Sequence, residues 1–161
     1  MGQAALEIDG VLDIETEKWS TYRLGALLTA DGKYFETRSP LKLFERTLEI
    51  EGQVWAHNGG KFDFLWWIEM AIAAGVQCSV QLAGSRITRI DCGRLTLRDS
   101  FALIPMSLAK AADIAGMVKG EPGFPCDCGE DCGGFCAIRE DMPPERWRKL
   151  SEYLRRDCDV L

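Results

Sequence analysis

Three short segments between Val11 and Thr37 alternate apolar with polar residues, and after Ser39 strand-like and helix-like segments take turns. Strands first, then strand–helix alternation, restrict such a chain to a layered α/β domain with a mixed sheet flanked by helices. Residues 11–16, 21–29 and 33–37 are the early strands, with Ala30-Asp31-Gly32 as the turn joining the last two. Ser39 and Pro40 read as N-cap and first turn of a helix whose Leu41, Phe44 and Leu48 share a face. Residues 53–56 follow as a strand, and a helix runs from about Phe62 to Ala74, stopping at Gly75. Residues 76–82, 86–90 and 94–98 are expected strands, the last two joined by a turn at Asp91-Cys92-Gly93. Ser107 to Ala115 is a short helix. Pro143-Pro144-Glu145 opens a last one with Trp147, Leu150, Leu154 and Leu161 as its apolar stripe.

A length of 161 residues suggests a single domain, 1–161, interrupted by a Gly-, Pro- and Cys-rich insertion at about 120–142. No apolar run is long enough to span a membrane. The first residues show no basic, then apolar, leader pattern, so the expected location is the cytoplasm. Leu6 stands where a myristoylation motif after Gly2 wants Ser or Thr. A net charge of −6 argues against a broad electrostatic grip on nucleic acid. It does not exclude an enzyme that holds a few nucleotides at a metal site, where bound cations set the local field.

The acids are arranged in a way that suits such a site. Asp13 and Glu15, two apart on a strand, point to the same face, and Thr16 follows at its end. Adjacent carboxylates repel unless solvated or holding a cation. His57-Asn58-Gly59-Gly60-Lys61-Phe62-Asp63 runs off a strand into a helix start, where the dipole favours Asp63. Tyr153 and Asp157, four apart, share a face of the last helix. Each piece alone has an ordinary structural explanation: a solvated strand end, a capped helix, a hydrogen-bonded lone histidine. Together, four carboxylates from three elements offer hard oxygen ligands suited to two Mg²⁺ or Mn²⁺ ions. Two such ions activate water and stabilise the leaving oxygen in phosphodiester cleavage.

Asp13-Ile14-Glu15-Thr16, then His57-Asn58 with Phe62-Asp63, then Tyr153 with Asp157, resemble in order the three exonuclease motifs of the DEDDy group. The chain is most similar to the exonuclease domain of protein-primed family B DNA polymerases of bacteriophages and linear plasmids. Asp99-Ser100, the stretch from Leu103 to Ile114, and Lys119-Gly120 resemble that family's segments between the second and third motifs. The resemblance implies a ribonuclease-H-like fold and a 3′→5′ exonuclease that removes nucleoside monophosphates from single-stranded DNA while proofreading. It implies that Asp13, Glu15 and Asp157 hold one ion and that Asp13 bridges to a second, shared with Asp63. Tyr153 would position the attacking water, and Lys119 would approach the scissile phosphate. Thr16, His57, Asn58, Phe62 and Ser100 match positions that touch the 3′ end, and Trp55 one where an aromatic lies near the DNA. The polymerase part is absent from this chain, so a domain of a longer polypeptide is expected, acting in host cytoplasm if viral.

Cys126, Cys128, Cys132 and Cys136, with Gly129, Gly133 and Gly134 between, suit either one structural Zn²⁺ or a loop of free thiols. Cys78, Cys92 and Cys158 read as small buried thiols. Two other functions fit the sequence: a free-standing exonuclease of the same chemistry acting on RNA, and a non-enzymatic zinc-stabilised binding module.

Overall fold

The computed structural model describes residues 7–119 and 137–161. The elements in order are β1 (Gly10–Glu17), β2 (Thr21–Thr29), β3 (Tyr34–Thr37), α1 (Pro40–Leu48), β4 (Gly52–Ala56), a 3-10 turn (Gly59–Lys61) and α2 (Asp63–Ala73). They continue with β5 (Ser79–Ala83), β6 (Arg86–Cys92), β7 (Leu95–Asp99), a second 3-10 turn (Ser100–Ala102), α3 (Leu108–Ile114) and α4 (Pro144–Val160). The seven strands form one sheet in the order β3-β2-β1-β4-β7-β6-β5. β1, β4 and β7 run parallel at its centre, and antiparallel strands flank them on both sides.

Alternation along the central strands feeds two cores. Leu12, Val54, Ala56 and Leu97 pack with Phe44, Phe64 and Trp67 of α1 and α2 on one face. Val11, Leu24 and Ala26 meet Leu150, Tyr153, Leu154 and Cys158 of α4 on the other. Parallel strands are found buried in this way because helices cover both their faces. Among the described residues no helix is long and apolar enough to cross a membrane.

Three expectations shift in detail. In α1 the buried side chains are Leu43, Phe44 and Thr47, whereas Leu41 is 47 % exposed. Leu43 fits against Gly25, which leaves no room for a Cβ, and the Thr47 hydroxyl donates to the Leu43 carbonyl at 2.7 Å, so it can be buried. Val76 is not in a strand. Gly75 takes φ 67 after α2, its N–H bonds to Ile72, and the Val76 N–H reaches back to Ala71. This cap holds Val76, so the edge strand begins only at Ser79. Asp91 and Cys92 lie inside β6, paired with Thr96 and Leu95. The hairpin turn is Gly93-Arg94, with Gly93 at φ 62 as a two-residue turn demands.

Candidate active site

β1 carries the first two acids to the edge of the α4 core. Asp13 and Glu15 continue the face of Val11, and α4 lays Tyr153 and Asp157 over them, one helical turn apart. One oxygen each from Asp13, Glu15 and Asp157 lies within 4.8 Å of the others. Asp63 comes from the opposite layer, at the first residue of α2, and lines the same cavity of about 490 Å³. Lys119 closes the group from the far side. Its Nζ donates to the Tyr153 hydroxyl at 2.9 Å and sits 3.4 Å from Asp157 Oδ2.

Glu15, Asp63, Tyr153 and Asp157 are buried and Asp13 nearly so, which is the wrong place for ionised groups without compensation. Burial, then the neighbouring acids Asp63, Glu15 and Asp157, holds the Asp13 carboxyl well above its usual range. Burial and then Asp157 and Asp63 push Glu15 up to about 8, against the opposing pull of Lys119. Burial lifts Asp63 to about 7 even though the backbone N–H groups of Asp63 and Ile14 draw it down. Asp157 is raised by burial despite Lys119 and Tyr153 beside it. Burial followed by the charges of Glu15 and Asp157 keeps the Tyr153 phenol protonated far above its ordinary range.

A divalent cation fits this donor set. Its ligands are hard oxygens only, and Asp157 Oδ1 is buried with no hydrogen-bond partner. The close triplet is Asp13, Glu15 and Asp157, and Asp63, the strongest charged neighbour of Asp13, lines the same cavity outside it.

Of the other residues singled out, Thr16, His57, Asn58 and Phe62 line the cavity. Both ring nitrogens of His57 are engaged inside the protein: Nε2 with the Met106 carbonyl at 2.8 Å and Nδ1 with Ser100 Oγ at 2.9 Å. A carbonyl only accepts, so in the neutral ring Nε2 carries the hydrogen and Nδ1 accepts from Ser100. Ser100 therefore spends its hydroxyl on orienting His57. Asn58 adopts left-handed φ 60 and leaves its Oδ1 buried and unpartnered at the cavity wall. Trp55 is not brought to the cavity. It is buried on the sheet face opposite Val54 and Ala56, beneath the Arg98 guanidinium, 5.7 Å from the ring centroid. Cys126, Cys128, Cys132 and Cys136 lie outside the described residues.

Two aromatic residues at the cavity escaped the sequence reading. Trp19, in the turn between β1 and β2, stands 5.2 Å from Phe62. Phe101, immediately after Asp99-Ser100, lies under the Arg86 guanidinium, 4.4 Å from its ring centroid. That guanidinium also pairs with the fully buried Asp99 carboxylate at 2.6 Å. An aromatic residue in a three-residue turn between strands was the available signal for Trp19, because turns favour small polar residues.

No protein-family model matches the sequence. The chain is 35 % identical over 115 residues to the DNA-directed DNA polymerase of Enterobacteria phage PRD1, covering 71 % of this chain and 17 % of that protein. It superposes on Phi29 DNA polymerase complexed with primer-template DNA with a TM-score of 0.69 at 15 % identity, over 94 % of this chain and 29 % of that one. The family B DNA polymerase of Pyrobaculum calidifontis gives a TM-score of 0.66 at 16 % identity, over 94 % and 23 %. The chain thus spans less than a third of each protein it matches. The shared fold is the ribonuclease-H-like mixed sheet flanked by helices.

Proposed function

We propose, from the premise that this chain is a homologue of one segment of a phage DNA-directed DNA polymerase, that it is a metal-dependent 3′→5′ exonuclease. Its substrate would be the single-stranded 3′ end of DNA, its product a nucleoside monophosphate, and its natural role proofreading for a polymerase domain in the same polypeptide. One observation carries this reading: three carboxylates, buried Glu15 and Asp157 with half-buried Asp13, converge within 4.8 Å under a protonated phenol and a lysine.

Asp13, Glu15 and Asp157 would hold one ion, and Asp13 with Asp63 a second. Bound there, divalent ions would lower the barrier to attack by water and stabilise the departing oxygen. The protein's own groups account for the rest. Tyr153 is no base, since its phenol stays protonated, and it receives the Lys119 hydrogen bond. Its own hydrogen goes to the Asp157 carboxylate, which fixes the phenol beside the acids, where its oxygen would accept from and orient the attacking water. Among the described residues Lys119 brings the one ammonium group lining the cavity, where it would offset the negative charge of the scissile phosphate. Asn58 offers an amide at the wall for the terminal nucleotide.

The decisive assay follows a 5′-labelled single-stranded DNA oligomer with Mg²⁺ or Mn²⁺, with chelator, and with Asp157→Ala. The expected result is a ladder shortening from the 3′ end that chelator and the substitution both abolish. Cleavage that survives Asp157→Ala would sink the proposal. A matched RNA oligomer in parallel reports whether a 2′-hydroxyl is tolerated.

A further inference from the structure

The exonuclease reading leaves unassigned the feature at the mouth of the cavity. β1 ends at Glu17 and β2 starts at Thr21, and the turn between them places Lys18 at φ 49 and Trp19 at φ 64. Left-handed backbone is unusual for a bulky residue and persists only where its surroundings impose it. The turn holds the Trp19 indole out at 65 % exposure. Its ring centroid lies 5.2 Å from that of Phe62, itself 40 % exposed, with the planes 38° apart. The pair stands between two depressions. On one side is the acid-lined cavity. On the other is a hollow of about 70 Å³ bordered by Lys61, Leu65 and Trp66, with Thr16 and Asp63 shared by both.

A strand whose last phosphate lies at the carboxylates has to leave the cavity, and the aromatic pair lies at its mouth. Every nucleobase has a π-face, so aromatic rings hold successive bases without reading their sequence. We infer that Trp19 and Phe62 together form a stacking platform for a base of the single-stranded substrate just upstream of the terminal nucleotide. Trp19 supplies the second face of the platform, and Lys61, bordering the outer hollow, is placed to meet the phosphate that follows. The inference rests on the exonuclease reading for the identity of the strand.

The test compares wild type, Trp19→Ala and Trp19→Phe on a 5′-labelled oligothymidylate in Mg²⁺, reading KM and kcat separately. The same oligomer is titrated into each protein in chelator, with tryptophan fluorescence as the readout. Trp19→Ala should raise KM roughly five-fold or more, the low end of the usual stacking contribution, with kcat within about two-fold. Trp19→Phe should keep KM near wild type, which a loss of local structure would not do. The oligomer should quench wild type more than Trp19→Ala. An unchanged KM in Trp19→Ala, or a loss confined to kcat, overturns the platform and leaves the exonuclease standing. Quenching that depends on Trp19 without any degradation keeps the platform and overturns the exonuclease. A wild type that neither degrades nor is quenched overturns both.

Discussion

Every carboxylate at the site is held away from water by the fold and beside others of the same sign. The consequence is a pH dependence with a definite sign. Glu15 moves from an ordinary 4.5 to about 8, and Asp63 from 3.8 to about 7. Between those values the folded protein binds more protons than the unfolded chain, so stability falls as pH rises across the interval. In chelator the thermal midpoint should therefore be higher at pH 5 than at pH 8, and Mg²⁺ or Mn²⁺ should restore it at pH 8. A midpoint that stays level or climbs between those pH values in chelator contradicts the buried cluster. Asp157→Asn removes one charge from the group while keeping its shape. At pH 8 in chelator it should stabilise the fold by about 1 kcal/mol, a rise of roughly 2–4 °C for a chain of this size, while ending cleavage. Stability and activity moving in opposite directions would separate a functional acid from a structural one.

The elements position the acids through contacts that sequence periodicity does not reveal. The 3-10 turn before α2 is pressed onto β6: a Cβ on Gly60 would meet the Ile87 carbonyl oxygen at 1.8 Å and Asp99 Oδ2 at 2.8 Å. Gly60→Ala should cost about 1–3 kcal/mol in urea unfolding and should also slow cleavage, because the displaced turn leads directly into Asp63. Full stability in that variant would show that the turn can slide. Asp99→Asn leaves the mostly buried Arg86 guanidinium without its anion and should cost about 3–5 kcal/mol in the same assay. The order of strands and helices was legible because each carried its own alternation or cap, as with Ser39, which accepts from the Lys42 N–H at 3.3 Å. The four acids were legible too, since each sits at a position its own element fixes. What sequence could not show depends on distant partners. Leu41 yields its place to Leu43 because Gly25 lies opposite, and His57 is tied to a carbonyl far along the chain. Trp55 turns to the sheet face opposite the α2 core.

At the scale of the whole molecule, charge decides how the substrate is held. The chain carries a net charge of −6, and its cavity is floored with acids. On the exonuclease reading, long-range attraction for DNA would therefore be weak, and the aromatic and metal-borne contacts would have to do the holding. Among the described residues, Lys119 is the one lysine or arginine that lines the cavity, and Lys61 the one that lines the adjoining hollow. Each phosphate neutralised on a single strand contributes a slope of about −0.7 in the logarithm of affinity against the logarithm of salt. Two lysines thus set an expected slope of roughly −1.4 for kcat/KM on single-stranded DNA, read across a series of NaCl concentrations at fixed Mg²⁺. A slope steeper than about −4 would mean that a basic surface elsewhere on the chain carries the strand, and that the cavity is not where most of the binding occurs. A slope near the expected value has a further consequence. A domain with so shallow an electrostatic grip gains little from long DNA, so lengthening the oligomer beyond the few nucleotides that reach Lys61 should leave kcat/KM unchanged. In a longer polypeptide, delivery of the frayed 3′ end would then fall to whatever is joined to this domain.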